Sequence, residues 1–363
     1  PMLDNSAMDG YAVIAEDTGH AAADKPATLT ITGEIQAGDD PEGYNLEPGQ
    51  AIRIMTGAPV PRGADAVVEF EKTSEEGSQV HIYASFKSGD NLRRAGEDIA
   101  SGDTVIQKGT MLLPAHMGLL ASVGRQQALV YKKPRVAIIT TGNEIAEPGQ
   151  PLKRGWVRNS NAYTLYGLVQ QYGGIPEYLG IAADTPEATA TMLTRALEHD
   201  LVITTGGVSM GRYDFVKDVM KDLGIDVMVE KVLMKPGKPC VFGLKDGVPV
   251  FGLPGNPVST MVSFLQFVRP AMLKLMGARV IDKPRIEAVA AQAIKKKPDR
   301  THFIRGFFHI EGDRVVVSTT GPQGSGILRS MGQANCLIIV PVGVSMVKEG
   351  EPVTIQLIHH EEM

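Results

Sequence analysis

Residues 235–239 read KPGKP. Lys235 and Lys238 stand three apart on a turn whose proline narrows the backbone and whose glycine frees it. Sixteen residues after Lys238, Pro254-Gly255-Asn256-Pro257 opens a long apolar run, and a proline there suits the first turn of a helix. Two ammonium groups and a helix N-terminus both attract an anion. Two unit charges about 4 Å apart attract by about 1 kcal/mol in water and by about 4 kcal/mol at an effective dielectric near 20. On an open turn the two lysines would be solvated surface charges. In a sheltered cleft they would be a clamp for a small dianion.

Other stretches offer chemistry of the same kind. In TTGGVSMGRYD (204–214), Gly206-Gly207 follows a buried run and lets a backbone approach a ligand, with Ser209 as an oxyanion donor and Asp214 able to begin a helix. TTGNE (140–144) offers Glu144 in a similar setting, and DNSAMDG (4–10) packs Asp4 and Asp9 among small residues that also suit an Asx turn. RIMTGAPVP (53–61) carries Arg53 and Thr56; RRAGED (93–98) carries Arg93, Arg94, Glu97 and Asp98. THFIRG (301–306) holds His302 and Arg305, and GPQGSGILRSM (321–331) holds Ser325 and Ser330. No histidine lies in a metal-ligand spacing, and no Ser/His/Asp arrangement is legible.

The elements that must position these residues follow from pattern and composition. A chain of 363 residues exceeds one ordinary core, so two to four domains are expected. Apolar residues make up 43% and charged residues 21%, which is ordinary for a globular chain, and the net charge of -5 argues against a broad nucleic-acid surface. No apolar run is long enough to span a bilayer and no secretory signal is visible. Two isolated cysteines, Cys240 and Cys336, make no disulfide framework and fit a reducing cytoplasm. The chain begins at Pro1, which points to a preceding N-terminal segment.

Residues 27–110 alternate short β segments, ATLTITGEI, AIRIM, ADAVVEF, QVHIY and DTVIQ, with Gly, Pro and Asp turns. Helical spacing covers 112–124, with Pro114 near its start. From 135 strands and helices alternate. RVAIIT is followed by a helix at 159–173 capped by Ser160. EYLGI is followed by a helix capped by Thr185 with Pro186 at its first position. DLVITT then precedes a helix near 214–224, and PVFGL a helix near 256–276. Unbroken apolar strands predict a parallel sheet covered on both faces, with ligands at the strands' carboxyl ends, where TTGNE, TTGGVS and GLPGNP lie. After Gly277 short strands alone predict a small β-barrel or sandwich.

Taken in order, DNSAMDGYAV, IRIMTGAPVP, RRAGEDI, TTGNE, TTGGVSMGRYD, KPGKP, FGLPGNPVS and GSGILRSM resemble the molybdopterin molybdenumtransferases, the molybdenum cofactor insertases, a family that includes the gephyrin E domain. The resemblance covers almost the whole chain. It implies a multidomain α/β fold: a split first domain at 1–20 plus 97–132, a β-rich lid domain at 21–96, a parallel-sheet α/β domain at 133–279 and a C-terminal β-barrel at 280–363. It implies insertion of molybdenum into adenylylated molybdopterin, with hydrolysis of the adenylate, release of AMP and help from Mg²⁺. The sulfur ligands come from the pterin.

On this resemblance Ser209, Lys235, Lys238, Arg305 and Ser330 bind molybdate, and Pro254 and Pro257 shape the pocket. Asp9, Glu144 and Asp214 are the catalytic acids, with Glu144 and Asp214 at the metal and phosphate end. Thr56, Asp98, Asn159, Gly206 and Gly207 complete the substrate site. The family usually has Asp where this chain has Asn159, which carries no charge. The resemblance also implies a homodimer and a molybdopterin adenylyltransferase as partner, with no nucleic acid and no membrane. A non-catalytic molybdopterin-binding scaffold and a molybdopterin adenylyltransferase are the competing readings; the lid and barrel argue against the second.

Overall fold

The computed structural model describes residues 1–208 and 215–358. The chain forms two compact units, residues 1–107 and 108–363.

In the first unit six strands form one sheet, in the order Ala66–Glu69, Gly10–Val13, Gln50–Ile54, Ala27–Ile35, Gln79–Ile82, Thr73–Glu76. Only the pairing of Ala27–Ile35 with Gln50–Ile54 is parallel. Both faces of the sheet are covered. Tyr11, Val13, Val68 and Ile82 belong to one cluster; Ala12, Ile52, Ile54 and Val67 belong to the other. The expected strand DTVIQ is absent: residues 103–107 are irregular. Its apolar pair Val105-Ile106 is only half-buried and joins no sheet, so local β-propensity had no partner to satisfy it.

The second unit holds a six-stranded sheet ordered Ile175–Ala182, Arg135–Thr141, Leu201–Thr205, Val248–Leu253, Pro239–Lys245, Asp226–Lys231. The first four strands are parallel, as the apolar runs predict. The last two are antiparallel, which corrects the all-parallel expectation. The cause is local. Only Asp246 and Gly247 separate Pro239–Lys245 from Val248–Leu253, too few for a crossover, and both take positive φ, 50° and 84°. Positive φ at both central residues is the hairpin turn that matches strand twist, and Asp-Gly favours it.

Helices cover this sheet. Asn159, and not Ser160, caps Ser160–Gln171: its side chain accepts from the Ala162 amide at 3.2 Å. Thr185 caps Pro186–Ala196 as expected. The helix Val216–Asp222 begins after Phe215; the proposed cap Asp214 lies outside the described residues. Pro257–Ser263 continues through a π turn, Phe264–Val268, into Arg269–Leu275, with Pro270 in the first turn of the last segment. A proline lacks the N–H that α spacing would use, and such a widened turn accommodates it.

The C-terminal strands close on themselves. Thr301–Glu311 pairs with Arg314–Thr319, then Arg285–Ala290, Pro352–Leu357 and Cys336–Val340, which returns to Thr301–Glu311. This five-stranded barrel leaves one edge available, and Met234–Lys235 adds to it in parallel, placing Lys235 opposite His302. One hydrophobic cluster joins the two subdomains: Val136, Leu201, Leu253 and Val262 of the α/β part share it with Met234, Met331, Leu337 and Ile358.

Two buried cations sit at this junction. Lys283 and Arg269 both lie over the Tyr172 ring, at 5.1 and 5.0 Å from its centroid. Lys283 donates to the Ile358 carbonyl at 2.8 Å, and burial, helped by the Arg269 charge, pushes its ammonium down to about 8 from 10.5. Below about pH 8 both folded and unfolded chains carry this proton, and the full cost of burying the charge is present. Between that value and 10.5 the unfolded chain binds more protons, so stability rises with pH. The thermal unfolding midpoint of the parent should therefore climb across this window. Lys283→Met should flatten that climb and be at least as stable near pH 7, because an apolar residue of similar volume replaces a desolvated charge. An unchanged pH profile in the variant would reject the buried-charge assignment.

Candidate functional site

Two glycines decide the backbone at the carboxyl end of Leu201–Thr205. Gly206 and Gly207 have φ of 97° and 67°, and a Cβ on Gly206 would lie 2.6 Å from the Thr141 carbonyl oxygen. No other residue fits there. Pro254 is buried beside them, and the loop that follows is tied down by side chains. Asn161 Nδ2 donates to Thr205 Oγ1 and to the Gly255 carbonyl, each at 2.8 Å; Thr205 and Thr260 hydroxyls both donate to the Pro254 carbonyl, at 3.0 and 2.6 Å. Asn161 and Thr260 were not singled out in the sequence, and only the NSN run at a strand-to-helix junction hints at them. Pro257 occupies the first helical turn, but the next amide, Val258, donates to the Ser325 carbonyl at 3.1 Å. That donor is spent on the barrel's GSG loop.

The KPGKP turn lies against this helix. A Cβ on Gly237, whose φ is 103°, would meet Ser263 Oγ at 2.6 Å. The turn leaves Lys235 and Lys238 exposed, with Pro236 and Gly237 buried. Lys235 lines an open cleft of about 510 Å³, together with Lys295, Lys296, Lys297, His302 and Arg305. Lys238 does not line it.

Arg305 is 1% exposed and no carboxylate pairs with it among the described residues. Its guanidinium donates from Nε to Ser330 Oγ at 3.0 Å and from Nη2 to the Gly324 carbonyl at 2.9 Å. Burial alone lowers its pKa to about 10, which still leaves it charged at neutral pH. Ser330 Oγ in turn donates to the Ile327 carbonyl at 2.6 Å. Its proton is therefore committed, and it positions Arg305 here. A buried guanidinium held by neutral groups in the wall of a cleft suits an incoming anion.

A second polar cluster surrounds Asn159, which is 2% exposed. Its Nδ2 donates to Glu147 Oε1 at 3.1 Å and to Tyr178 Oη at 2.8 Å; its Oδ1 accepts from Thr140 Oγ1 at 3.2 Å and from the Ala162 amide. Tyr178 Oη donates to Glu147 Oε1 at 2.5 Å and Tyr163 Oη to Oε2 at 3.1 Å. Burial and the Glu147 charge raise the Tyr178 pKa, so the phenol stays a donor. Glu147 was missed in the sequence. An amide at 159 is what allows this carboxylate to sit beside it.

Glu144 is exposed at the end of Arg135–Thr141. Ser209 and Asp214 lie outside the described residues. Among the described residues no group of three His, Cys, Asp or Glu side chains could hold a metal ion. The donor set there does not make a Mg²⁺ site by itself. In the first unit Asp9 and Thr56 meet: the Thr56 amide and hydroxyl donate to Asp9 Oδ1 at 2.6 and 2.7 Å, and these bonds hold the carboxyl below its usual range. Asp98 is exposed.

Residues 1–124 match the MoeA N-terminal region (domains I and II), 137–274 a probable molybdopterin binding domain, and 287–358 the MoeA C-terminal region (domain IV). The molybdopterin molybdenumtransferase of Nostoc sp. is 37% identical over 98% of this chain and 83% of its own length. The chain belongs to the molybdopterin molybdenumtransferase family. A family member of the same name from Bacillus subtilis is 36% identical over 99% of this chain and 85% of its own. The solved molybdopterin biosynthesis moeA protein of Pyrococcus horikoshii OT3 superposes with a TM-score of 0.83 at 31% identity, covering 98% of this chain and 87% of that one.

The Asn159 network carries a stability prediction. Asn159→Asp would set two carboxyls against each other where a 3.1 Å donor–acceptor contact now stands. The variant should lose about 1–3 kcal/mol near neutral pH, and less at acid pH where one carboxyl is protonated. Denaturant unfolding measures it, and adding Glu147→Gln should restore most of the loss. Parent-like stability of the single variant would show that the amide does not matter.

Proposed function

We infer that this chain carries out the molybdenum-insertion step of molybdenum cofactor biosynthesis, as a transferase acting on molybdopterin. Near-full-length similarity to relatives named molybdopterin molybdenumtransferase supports it. The observation that carries the reading onto this chain is the convergence of Lys235 and the buried, carboxylate-free Arg305 on one cleft. Molybdate is a compact dianion, and a fixed guanidinium with a lysine beside it binds such an ion with a defined orientation.

The substrate we propose is adenylylated molybdopterin. Its phosphoanhydride is cleaved by water, which releases AMP and leaves molybdopterin; the two dithiolene sulfurs then bond the molybdenum of molybdate, and one oxide leaves with the two thiol protons as water, with no change of oxidation state. The chain's own sulfur supports a substrate-borne dithiolene: Cys240 and Cys336 are buried and unpaired, and burial pushes both thiols up to about 12, so neither offers a thiolate at neutral pH. In this reading Ser209, Lys235 and Arg305 bind molybdate, with Ser330 positioning Arg305; Lys238 would contribute only its charge, from outside the cleft that Lys235 lines. Gly206, Gly207, Pro254, Pro257, Asn159, Thr56 and Asp98 shape the substrate site. Asp9, Glu144 and Asp214 are its acids. Mg²⁺ typically binds through one or two carboxylates together with substrate phosphates, and Glu144 with Asp214 would supply them.

We further propose that residues 1–20 and 97–132 form a split first domain, 21–96 a lid, 133–279 the molybdopterin-binding domain and 280–363 the barrel domain. We propose a homodimer in the cytoplasm that receives its substrate from a molybdopterin adenylyltransferase. The helix Pro114–Ser122 supports the dimer: none of its residues is buried, and Leu113 and Met117 beside and on it are 53% and 48% exposed. Two unpaired buried cysteines support a reducing compartment. No helix among the described residues is long and apolar enough to cross a membrane.

The test is AMP release from adenylylated molybdopterin with and without molybdate. Lys235→Ala should keep the folded circular-dichroism spectrum and reduce molybdate-dependent release by about 100-fold or more, the scale of losing one oxyanion donor. Parent-like release by that variant would remove Lys235 from the site.

A further inference from the structure

The cleft beside Lys235 is larger and more basic than one small oxyanion requires. At about 510 Å³ it is the size of a small-molecule site, and its lining contains four lysines and an arginine but no aspartate or glutamate. Lys295 and Lys297 are exposed. Lys296 is anchored: its Nζ donates to the Arg300 carbonyl at 2.7 Å and to the Lys297 carbonyl at 3.2 Å, which leaves one N–H for a ligand. The nearby carboxylate, Asp299, is paired with Arg300.

His302 gives an independent sign of a ligand. It is 7% exposed, yet its Nε2 has no hydrogen-bond partner among the described residues, and Asp299 Oδ1 is 4.0 Å away. Burial, with the charges of Lys296 and Lys235, pushes its pKa down to about 4, so it is a neutral imidazole at physiological pH. A buried polar atom left unpaired is costly and rare. The imidazole belongs to a residue that lines the cleft, but the nitrogen itself is sealed from solvent, so a bound group would satisfy it only once the ring turns toward the cleft.

We propose that Lys295, Lys296, Lys297 and His302 form a second anion subsite in this cleft, for a phosphate-type dianion. It lies beside the oxyanion position proposed at Lys235 and Arg305. The subsite rests on the functional reading only for the identity of its neighbour; its own chemistry is the lysine rail and the unpaired imidazole. A phosphate there has two sources, a phosphate group of the pterin substrate or free inorganic phosphate.

Titration calorimetry of the full chain with inorganic phosphate, in low salt and in saturating molybdate, tests it. Saturable phosphate binding should persist in the presence of molybdate. It should weaken at least about tenfold in the Lys295→Ala/Lys297→Ala variant, whose altered side chains are exposed and leave the fold intact. His302→Leu should weaken it as well, and His302→Gln, which keeps a polar terminus, less so. Loss of phosphate binding together with a raised KM for adenylylated molybdopterin would assign the subsite to the substrate's phosphate. Loss with KM unchanged would assign it to the free ion. One-for-one displacement of phosphate by molybdate, or parent-like phosphate binding by the double-lysine variant, would overturn the proposal. Because phosphate binding is read directly, absence of insertion activity would count against the functional reading and not against this subsite.

Discussion

The parallel pairing of Met234–Lys235 with Thr301–His302 is the contact on which the proposed chemistry depends. It joins a turn of the α/β subdomain to a barrel strand by backbone hydrogen bonds. Residues 235 and 305 are then set at a defined spacing, because Arg305 lies further along the same barrel strand. The shared hydrophobic cluster that includes Met234, Met331 and Leu337 keeps the two subdomains from sliding. Close packing of this kind transmits position with little slack.

The polar groups around the cleft are arranged so that the charge is held but not neutralised. Arg305 is braced by three neutral oxygens, of Ser330, Gly324 and Pro322, and Lys296 by two carbonyls. Neutral acceptors satisfy donors without cancelling the field, whereas a carboxylate would compete with an incoming anion. The Asn159 cluster has the opposite design. There an amide and two phenols support a carboxylate, Glu147. The unit thus holds a cationic cleft and a carboxylate cluster, each supported by uncharged partners.

Much of the architecture was legible in the residues. Unbroken apolar runs such as RVAIITT and LVITT marked the buried parallel strands, and Thr185-Pro186 marked a helix start. Two elements were not. Asp226–Lys231 and Pro239–Lys245 have interrupted apolar patterns, and a two-residue Asp246-Gly247 turn joins the latter to its neighbour, so the strand–helix alternation that signals parallel pairing does not extend to them. DTVIQ shows the converse: β-branched residues alone make no strand without a neighbour to pair with.

By itself the sequence determined which residue types stand in which boxes. It also determined where glycine and proline set the backbone, at Gly206-Gly207, Pro236-Gly237 and Pro254 to Pro257. Those are local properties, decided by sterics within a few residues. Only the tertiary structure decided what each side chain does. It spends Ser330 on Arg305 and the Val258 amide on Ser325, and it buries His302 with an unpaired nitrogen. It also leaves Lys238 outside the cleft that Lys235 lines, and gives Asn159 a carboxylate partner twelve residues away. Hydrogen-bond partners and desolvation depend on groups brought together from distant parts of the chain, and no local pattern encodes them.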